Sequence, residues 1–365
     1  VTGVVTGDEC LAGRNPSQGT ELCAIVEFMY SLEVLLSILG DPLFGDRLEK
    51  IAFNALPAAF SPDMWAHQYD QQVNQVECSI REGRLWTTNG PDANIYGLEP
   101  NYGCCTVNFS QGWPKFAMHL WMRTMDGGLA AVAYAPCTVN VKVKDVPVKI
   151  EVDTEYPFRE EVKINVYVEK TVQFPLYLRI PSWSEDTILE IDGEPLGSPK
   201  AGTFFKLHRT WNGSSKIRLK FQMKPKISRR YHNAVALERG PIVYALKIGE
   251  EWKRIKSYET VFPVADWEVY PTTPWNYALD LNEEKLKELK FIEHPIGKYP
   301  FSPHEAPISV TVKGVRVDSW KLENGSAGEI PESPIHVEGE PVDLKLIPYG
   351  CTHLRITEFP ALNDT

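Results

Sequence analysis

The fold is decided by the segment 126–152, DGGLAAVAYAPCTVNVKVKDVPVKIEV, in which apolar residues begin to alternate with polar ones. This period of two is typical of a β-strand that buries one face. The alternation returns further along the chain, at Val162, Ile164, Val166 and Val168 and at Ile217, Leu219, Phe221 and Met223. Asp192-Gly193, between two apolar runs, indicates a tight hairpin turn. Many short strands with Gly- and Pro-containing turns predict β-sandwich or jelly-roll-like domains after residue 127.

Before residue 127 the apolar spacing is helical. A first helix is predicted to end at Gly40-Asp41-Pro42, because apolar residues recur every three or four positions at Leu22, Ile25, Val26, Met29, Leu32, Leu35 and Leu36. Further helices are predicted over 46–60 and 111–125, and a short one over 282–289. Three helices cannot close a helical barrel by themselves. We therefore expect half of a helical domain, cut at its N-terminal side.

These patterns predict an α+β multidomain chain. The expected boundaries are a partial helical domain over 1–127, a first β-sandwich over 128–228 and a second over 229–365. The chain starts at Val1 without a methionine, and no signal peptide is visible. We expect it to be the C-terminal piece of a longer protein, so its location, bacterial periplasm or cytoplasm, would depend on the upstream sequence.

The charge and the apolar runs of the chain indicate which classes of binding partner it is expected to lack. The net charge of −10 and the absence of a basic patch with interleaved aromatics argue against nucleic acid. No apolar run of roughly 20 residues is evident, because the most apolar helix is interrupted by Glu27 and Glu33, and no membrane partner is predicted. The seven cysteines are odd in number and irregularly spaced, which does not indicate a disulfide framework. Some of them are expected to be reduced thiols.

Two cysteine-containing segments are candidates for chemistry. Glu21-Leu22-Cys23 lies at the head of the first helix, and Cys104-Cys105 lies about eighty residues later, just ahead of another predicted helix. Three thiols and a carboxylate are a full set of ligands for one tetrahedral zinc ion, provided that the fold brings them together. Taken separately, each has a simpler explanation. Glu21 can complement a helix dipole, and adjacent cysteines can be buried small residues or a vicinal disulfide.

A set of ordered motifs resembles glycoside hydrolase family 127, which is typified by bacterial β-L-arabinofuranosidases. They are Gly7-Asp8-Glu9, Glu21-Leu22-Cys23-Ala24, Gly103-Cys104-Cys105-Thr106-Val107-Asn108, Leu178-Arg179-Ile180-Pro181-Ser182-Trp183, Arg239-Gly240-Pro241-Ile242-Val243-Tyr244 and Leu346-Ile347-Pro348-Tyr349. The resemblance implies the C-terminal part of an (α/α)6 barrel followed by two β-sandwiches. Because the earlier barrel half is missing from the match, we expect this chain alone to be inactive or nearly so.

The resemblance also implies roles for individual residues. Glu21, Cys23, Cys104 and Cys105 would hold Zn2+, Cys104 would be the nucleophile, and Glu9 would be the general acid/base. The spacer between Glu9 and Glu21 looks shorter than in family members. Zinc deprotonates a bound thiol outright, so Cys104 would arrive as a thiolate, and the nearby negative charge would push a carboxyl group toward its neutral form. Attack at the anomeric carbon, followed by hydrolysis, predicts retention of configuration.

A polar extended segment over 64–80 predicts contacts with sugar hydroxyls. The candidates are His67, Tyr69, Gln72 and Asn74. The implied substrate is a β-L-arabinofuranoside or a related pentose within a plant cell-wall oligo- or polysaccharide. One alternative is a zinc-containing carbohydrate-binding or scaffold module without turnover. Another is a polysaccharide lyase or an inverting hydrolase. Dependence of activity on Cys104 separates these alternatives, because neither needs a thiolate nucleophile.

Overall fold

The computed structural model describes residues 1–362 and has more strands than helices. Residue contacts divide the chain into two compact units. The first combines Val1–Phe28, Ile51–Gly112 and the chain from Pro225 onward, and the second combines Met29–Lys50 and Trp113–Lys224. The α+β class is confirmed. The three domain boundaries stay a prediction, because each unit takes part of the N-terminal helical region.

The helices lie mostly in the first third of the chain. Their bounds are α1 Leu22–Leu39, α2 Pro42–Lys50, a π-helical turn Ile51–Ala55, α3 Leu56–Ala58, α4 Gly103–Met118 and α5 Glu283–Leu286. The first helix ends where predicted. The helix predicted over 111–125 corresponds to α4, which starts at Gly103, eight residues earlier. Cys104 and Cys105 therefore lie inside its first turn rather than ahead of it. The side chain of Asn282 caps α5 by accepting a hydrogen bond from the Lys285 N–H.

The apolar face of α1 is buried as its spacing predicts, with Leu22, Ile25, Val26, Met29, Leu32 and Leu36 inside the protein. By length and composition alone, α1 is long and apolar enough to cross a membrane, contrary to what the sequence led us to expect. A single helix of this kind is weak evidence, because the core helix of a soluble protein passes the same test. The expectation of no membrane partner stays a prediction.

A small sheet in the first unit supports the start of α1. It pairs β1 Gly19–Glu21 with β2 Asp70–Gln72 in antiparallel register, with Glu21 opposite Asp70. All of β2 is buried. The strand β1 passes directly into α1, so Glu21 and Cys23 lie on the two sides of a strand-to-helix junction.

The second unit contains an eight-stranded sheet. Its strands are β3 Trp121–Arg123, β4 Leu129–Ala131, β5 Cys137–Val143, β6 Val146–Thr154, β7 Glu161–Ile180, β8 Ile188–Ile191, β9 Glu194–Pro195 and β10 Thr203–Lys220. The long antiparallel pair β7 and β10 forms its centre, where Val162 lies opposite Leu219 and both are buried. The predicted hairpin turn joins β8 to β9, with Asp192 and Gly193 both at positive φ (53° and 89°).

Arg179 of β7 is fully buried in the core of the second unit. It makes ion pairs with Asp46 and with Glu49, the latter at 2.5 Å, and its Nε donates to the carbonyl of Val132 at 2.6 Å. Glu49 also accepts hydrogen bonds from the Tyr134 N–H and, at 2.5 Å, from the Tyr156 hydroxyl. The Leu178–Trp183 motif is therefore a core element, and its arginine is satisfied within the protein.

Replacing this arginine should lower the free energy of unfolding of the second unit. Arg179→Ala leaves two carboxylates without their cation inside the protein, which costs about 3–5 kcal/mol of unfolding free energy. Chemical denaturation followed by circular dichroism measures the loss. Arg209→Ala is the matched control, because Arg209 pairs with Asp192 at the surface and its removal should cost less than about 1 kcal/mol. Equal effects of the two substitutions would contradict a structural role for Arg179.

The later strands belong to the first unit. They are β11 Pro225–Arg229, β12 Val235–Arg239, β13 Ile242–Leu246, β14 Glu250–Ser257, β15 Ala265–Pro271, β16 Tyr277–Leu279, β17 Phe291–Glu293, β18 Ile308–Arg316, β19 Leu322–Glu323, β20 Ser326–Ala327 and β21 Val342–Pro348. The largest sheet of this unit has seven strands in the order β11-β12-β13-β21-β18-β16, with β17 paired to β18, and β14 and β15 form a separate hairpin. Segment 72–75 hydrogen-bonds to chain segments around 326 and 353–358, so this unit also fixes the polar stretch that follows β2.

Candidate metal centre and active site

The two cysteine-containing segments meet in the first unit. The Sγ atoms of Cys23, Cys104 and Cys105 and a carboxylate oxygen of Glu21 all lie within 4.8 Å of one another. The Sγ atoms of Cys23 and Cys105 are 3.1 Å apart, and all three cysteines are free thiols. The prediction that the fold brings these four residues together is thus confirmed.

Two chain junctions hold the four groups in place. Glu21 ends β1, Cys23 lies in the first turn of α1, and the N–H of Leu22 between them donates to the carbonyl of Tyr69 at 2.9 Å. Cys104 and Cys105 occupy the first turn of α4. A helix N-terminus favours negative charge, so the two helix starts are suitable positions for side chains that bind a metal ion as anions.

The geometry fits a tetrahedral metal ion with soft ligands. Sulfur atoms that bind zinc at about 2.3 Å lie roughly 3.8 Å apart at the corners of a tetrahedron. The observed separations of 3.1 Å and of up to 4.8 Å bracket this value. Three thiolates with one carboxylate are a ligand set suited to zinc.

Without a cation the four acidic groups oppose one another's ionisation. Burial, and then the charges of Cys23 and Glu9, raise the pKa of Glu21 to about 7. Hydrogen bonds, first from Cys105 and then from the side chain of Asn108, lower the pKa of Cys23 to about 6. The hydrogen bond to Cys23, together with burial, raises the pKa of Cys105 far above its usual range. One thiolate is therefore favoured at the expense of its neighbours, and a divalent cation would relieve this conflict.

The three thiols differ in their access to solvent. Cys105 is fully buried, Cys23 is half-buried and Cys104 is exposed. Cys104 is thus the thiol of this group that an external molecule can reach.

Glu9 lies on a tight turn beside the group. Its backbone N–H donates to the Glu21 carboxylate, its φ is 73° and it is exposed. Gly7 makes this turn possible, because an added Cβ there would lie 1.9 Å from the carbonyl oxygen of Cys10. The neighbouring Asp8 is buried and accepts hydrogen bonds from the backbone N–H groups of Thr88 (2.7 Å) and Asn89 (3.0 Å). The sequence-predicted acid/base thus lies next to the predicted metal ligands.

Two of the predicted sugar contacts lie near the site. The hydroxyl of Tyr69 accepts a hydrogen bond from the Asn89 amide at 2.7 Å, and the ring packs edge-on against Tyr102, with centroids 5.4 Å apart. His67 is buried and stacks on Phe109 of α4, and burial lowers its pKa to about 4. A neutral His67 keeps one ring nitrogen as an acceptor and the other as a donor.

Gln72 and Asn74 require a correction, because the structure gives them a structural role. Both are fully buried. The Gln72 amide donates to Ser17 and Ser326, and the Asn74 amide donates to the carbonyl of Glu358 while accepting from the N–H groups of residues 357 and 358. Their polar atoms tie distant chain segments together, so these side chains are not presented to a sugar.

Asn89 and Tyr102 were missed by the sequence reasoning. Asn89 belongs to an irregular Thr-Thr-Asn-Gly-Pro stretch, and Tyr102 directly precedes α4. Asn108, quoted above only as part of a motif, lies one helical turn after Cys104 and hydrogen-bonds to Cys23. The turn-forming composition around residue 89 was the available signal, and it does not reveal which side chains the turn would meet.

The fold and the donor group together define a multidomain, β-rich protein with a candidate soft-ligand metal centre. Residues 128–223 match the family model described as "Beta-L-arabinofuranosidase, GH127 middle domain". The resemblance of the chain's motifs to glycoside hydrolase family 127 is supported by this match over residues 128–223.

Three solved structures share the fold. A GH127 β-L-arabinofuranosidase from Geobacillus stearothermophilus T6 is similar with a TM-score of 0.69 and 21% identity, over 98% of this chain and 53% of that one. A structure of a glycoside hydrolase is similar with a TM-score of 0.65 and 19% identity, over 95% of this chain and 53% of that one. A GH127 β-arabinofuranosidase is similar with a TM-score of 0.71 and 18% identity, over 99% of this chain and 53% of that one. The chain thus spans about half the length of these structures. No curated protein matches it.

Proposed function

We propose that the complete protein is a retaining glycosidase that cleaves β-L-arabinofuranosides or a related plant cell-wall pentose. In this proposal residues 1–127 form the C-terminal part of an (α/α)6 catalytic barrel, and two β-sandwiches follow over 128–228 and 229–365. The observation that carries it is the exposed thiol of Cys104 within a group of four metal-ligand side chains, beside Glu9. Two of the similar structures are a β-L-arabinofuranosidase and a β-arabinofuranosidase, which supports this substrate class.

The residues present fit a zinc ion. Glu21, Cys23, Cys104 and Cys105 would hold it, because their donor atoms lie within one coordination sphere and are of the preferred types. When bound, zinc would keep its thiol ligands deprotonated at neutral pH. The backbone N–H that Glu9 gives to Glu21 and the hydrogen bond from Asn108 to Cys23 would orient two of the ligands.

The chain's own groups divide the reaction between them. The sulfur of Cys104 would attack the anomeric carbon and displace the glycosidic oxygen, which takes a proton from the carboxyl group of Glu9. A thioether then links the sugar to Cys104. In the second step Glu9, now a carboxylate, would take a proton from water as the water attacks the same carbon and releases the Cys104 thiolate. Two displacements at one carbon retain its configuration.

Exposure of Cys104 argues for this function over a purely structural zinc site. A structural site is closed and buries its ligands, as Cys105 is buried here. In a non-catalytic carbohydrate-binding or scaffold module, an accessible thiol in the group would have no use. A lyase or an inverting hydrolase would not need it either.

The direct test is the anomeric configuration of the first product. Proton NMR of the complete protein acting on a nitrophenyl β-L-arabinofuranoside should show the β-anomer before mutarotation. An α-anomer would exclude a covalent intermediate on Cys104. Absence of turnover on every pentoside tested, with zinc bound, would favour the binding-module alternative.

Glu9→Gln should separate the two chemical steps. With a nitrophenyl leaving group the first step needs little acid, so a burst of nitrophenol should persist. The steady-state rate should fall by about 10²–10⁴-fold, because no base activates water. Mass spectrometry should then find the pentosyl adduct on the peptide that contains Cys104. Glu82→Gln changes an exposed glutamate outside this group and is the control. Unchanged turnover in Glu9→Gln would exclude Glu9 as the acid/base.

A further inference from the structure

The eight-stranded sheet of the second unit has a groove of about 710 Å³ on its solvent-exposed face, here called the sheet groove. It crosses β5, β6 and β7 and reaches β10 at one end. Two rows of exposed side chains form its walls, and the second row is displaced by two residues along each strand. The first row is Asn140, Lys149 and Tyr167, in direct cross-strand register, and the second is Lys142, Pro147 and Glu169.

The spacing of the strands sets the size of the sheet groove. Two residues along a strand span about 7 Å, and the three intervals between four adjacent strands span about 14 Å. The floor between the rows is backbone, because Val148 and Val168 turn their side chains into the core. A channel of this width and length can hold a short oligosaccharide that lies across the strands.

Gly213 lies at the β10 end of the sheet groove. It pairs with Val168 at a register shift between β7 and β10, and its φ of 65° is in the left-handed region, which favours glycine. Apart from its chain neighbours, no atom of residues 1–362 would lie within 4 Å of a Cβ added there. This end of the groove is therefore open to a chain longer than the groove itself.

Tyr167 presents an aromatic ring to the sheet groove. Its side chain is 39% exposed, its hydroxyl hydrogen-bonds to Glu151, and the Lys149 ammonium lies 5.9 Å from the ring centroid. Both contacts come from the neighbouring strand β6, so they restrict the orientation of the ring. A sugar ring has an apolar face of C–H groups that packs on an aromatic ring, and hydroxyls that bind amides and charged groups. Tyr167 and the Asn140 amide offer both kinds of contact in one row.

The charges of the sheet groove cancel. Lys149 pairs with Glu151 at 2.6 Å. Lys142 and Glu169 carry opposite charges within the second row. A surface without an excess of one sign gives no electrostatic attraction to a polyanion, so these side chains suit a neutral partner.

We propose that the sheet groove is a second carbohydrate-binding site, which takes a neutral pentose-containing glycan by packing on Tyr167 and hydrogen-bonding to Asn140. The choice of a pentose rests on the proposed glycosidase function. This site takes no part in bond cleavage. It holds the polysaccharide to the protein and thereby raises the effective concentration of glycosidic bonds, which a small glycoside does not need.

Affinity electrophoresis of the chain in native gels that contain soluble arabinan tests this site. The dependence of mobility on arabinan concentration gives a dissociation constant. Tyr167→Ala should weaken binding about 10-fold, because the packing of one aromatic ring is lost. Tyr167→Phe keeps the ring and should retain most of the affinity. Asn140→Ala should weaken binding about 3- to 10-fold, as expected for one hydrogen bond.

The matched control is Asn165→Ala, which removes an amide from the same sheet face outside the sheet groove and should bind like the wild type. None of these substitutions changes the net charge of −10, so their mobilities without polysaccharide should be equal. Their melting temperatures should also equal that of the wild type. Wild-type chain that arabinan does not retard, or Tyr167→Ala and Asn140→Ala that bind as tightly as the wild type, would overturn the proposal. Retardation by galactan and not by arabinan would overturn the assignment to a pentose.

The gels also separate this inference from the proposed function, because binding needs no turnover. In the complete protein, Tyr167→Ala should leave kcat/KM on a nitrophenyl β-L-arabinofuranoside unchanged. A complete protein without turnover, together with Tyr167-dependent binding of arabinan, would refute the glycosidase and support the groove. Turnover without Tyr167-dependent binding would support the glycosidase and refute the groove.

Discussion

Cys104→Ser in the complete protein should lower kcat on a nitrophenyl β-L-arabinofuranoside by about 10⁴-fold or more. A serine hydroxyl is far less acidic than a thiol and a weaker nucleophile toward carbon, so the first displacement would lose its attacking group. The substitution keeps a small polar side chain at an exposed position in the first turn of α4, so the fold should persist. Initial-rate kinetics with wild-type and variant protein at equal concentration measure the effect.

The control for this substitution is Cys137→Ser, which removes a thiol from β5, outside the four-residue group. It should leave the rate unchanged. Intact-mass analysis adds a second measurement, because the pentosyl adduct that accumulates in Glu9→Gln should be absent when Cys104 is also replaced. Wild-type turnover by Cys104→Ser would refute the thiolate mechanism.

Long periodic segments were predictable from the sequence, and helix starts were not. The alternation at 162–168 lies within β7, and that at 217–223 begins within the end of β10, because each strand buries one face. The start of α4 was missed because its first turns contain Gly103, Thr106, Asn108 and Ser110, which are weak helix formers, so the helical apolar spacing becomes clear only from residue 111. The N-terminal turn is held by its surroundings rather than by its own propensity.

Ligand chemistry was predictable from residue type, and hydrogen-bond partners were not. Thiols and carboxylates both bind zinc, so Glu21, Cys23, Cys104 and Cys105 could be grouped as ligands before their distances were known. Amide side chains are less specific, since they bind sugars and backbone equally well. The partners of Asn74 lie 283 and 284 residues away along the chain, and only the three-dimensional fold shows that its amide is used there. For the same reason Asn89 was overlooked.

The chain should bind about one zinc ion through its four ligands, and Cys23→Ser should bring the zinc content close to zero. Cys23 is the thiol with the lowered pKa and contacts Cys105 at 3.1 Å, so it is the group most ready to bind a cation. A serine oxygen in its place would require deprotonation that neutral pH does not provide. Elemental analysis of freshly purified, reduced protein measures the stoichiometry, with Cys137→Ser as the control.

Loss of zinc should also destabilise the first unit, because the ion would join the start of α1 to the start of α4. A ligand present at a thousand times its dissociation constant stabilises the folded state by about 4 kcal/mol. We expect Cys23→Ser, or wild-type protein treated with a chelator, to melt on the order of 10 °C lower. Acidification should release the ion as well, since protons compete for Glu21 and the thiols. Metal-free protein as purified, or a Cys23→Ser variant with unchanged zinc content and melting temperature, would show that these four residues are not a zinc site. The fall in melting temperature should then be absent in the chelated wild type too, because the two treatments act on the same ion.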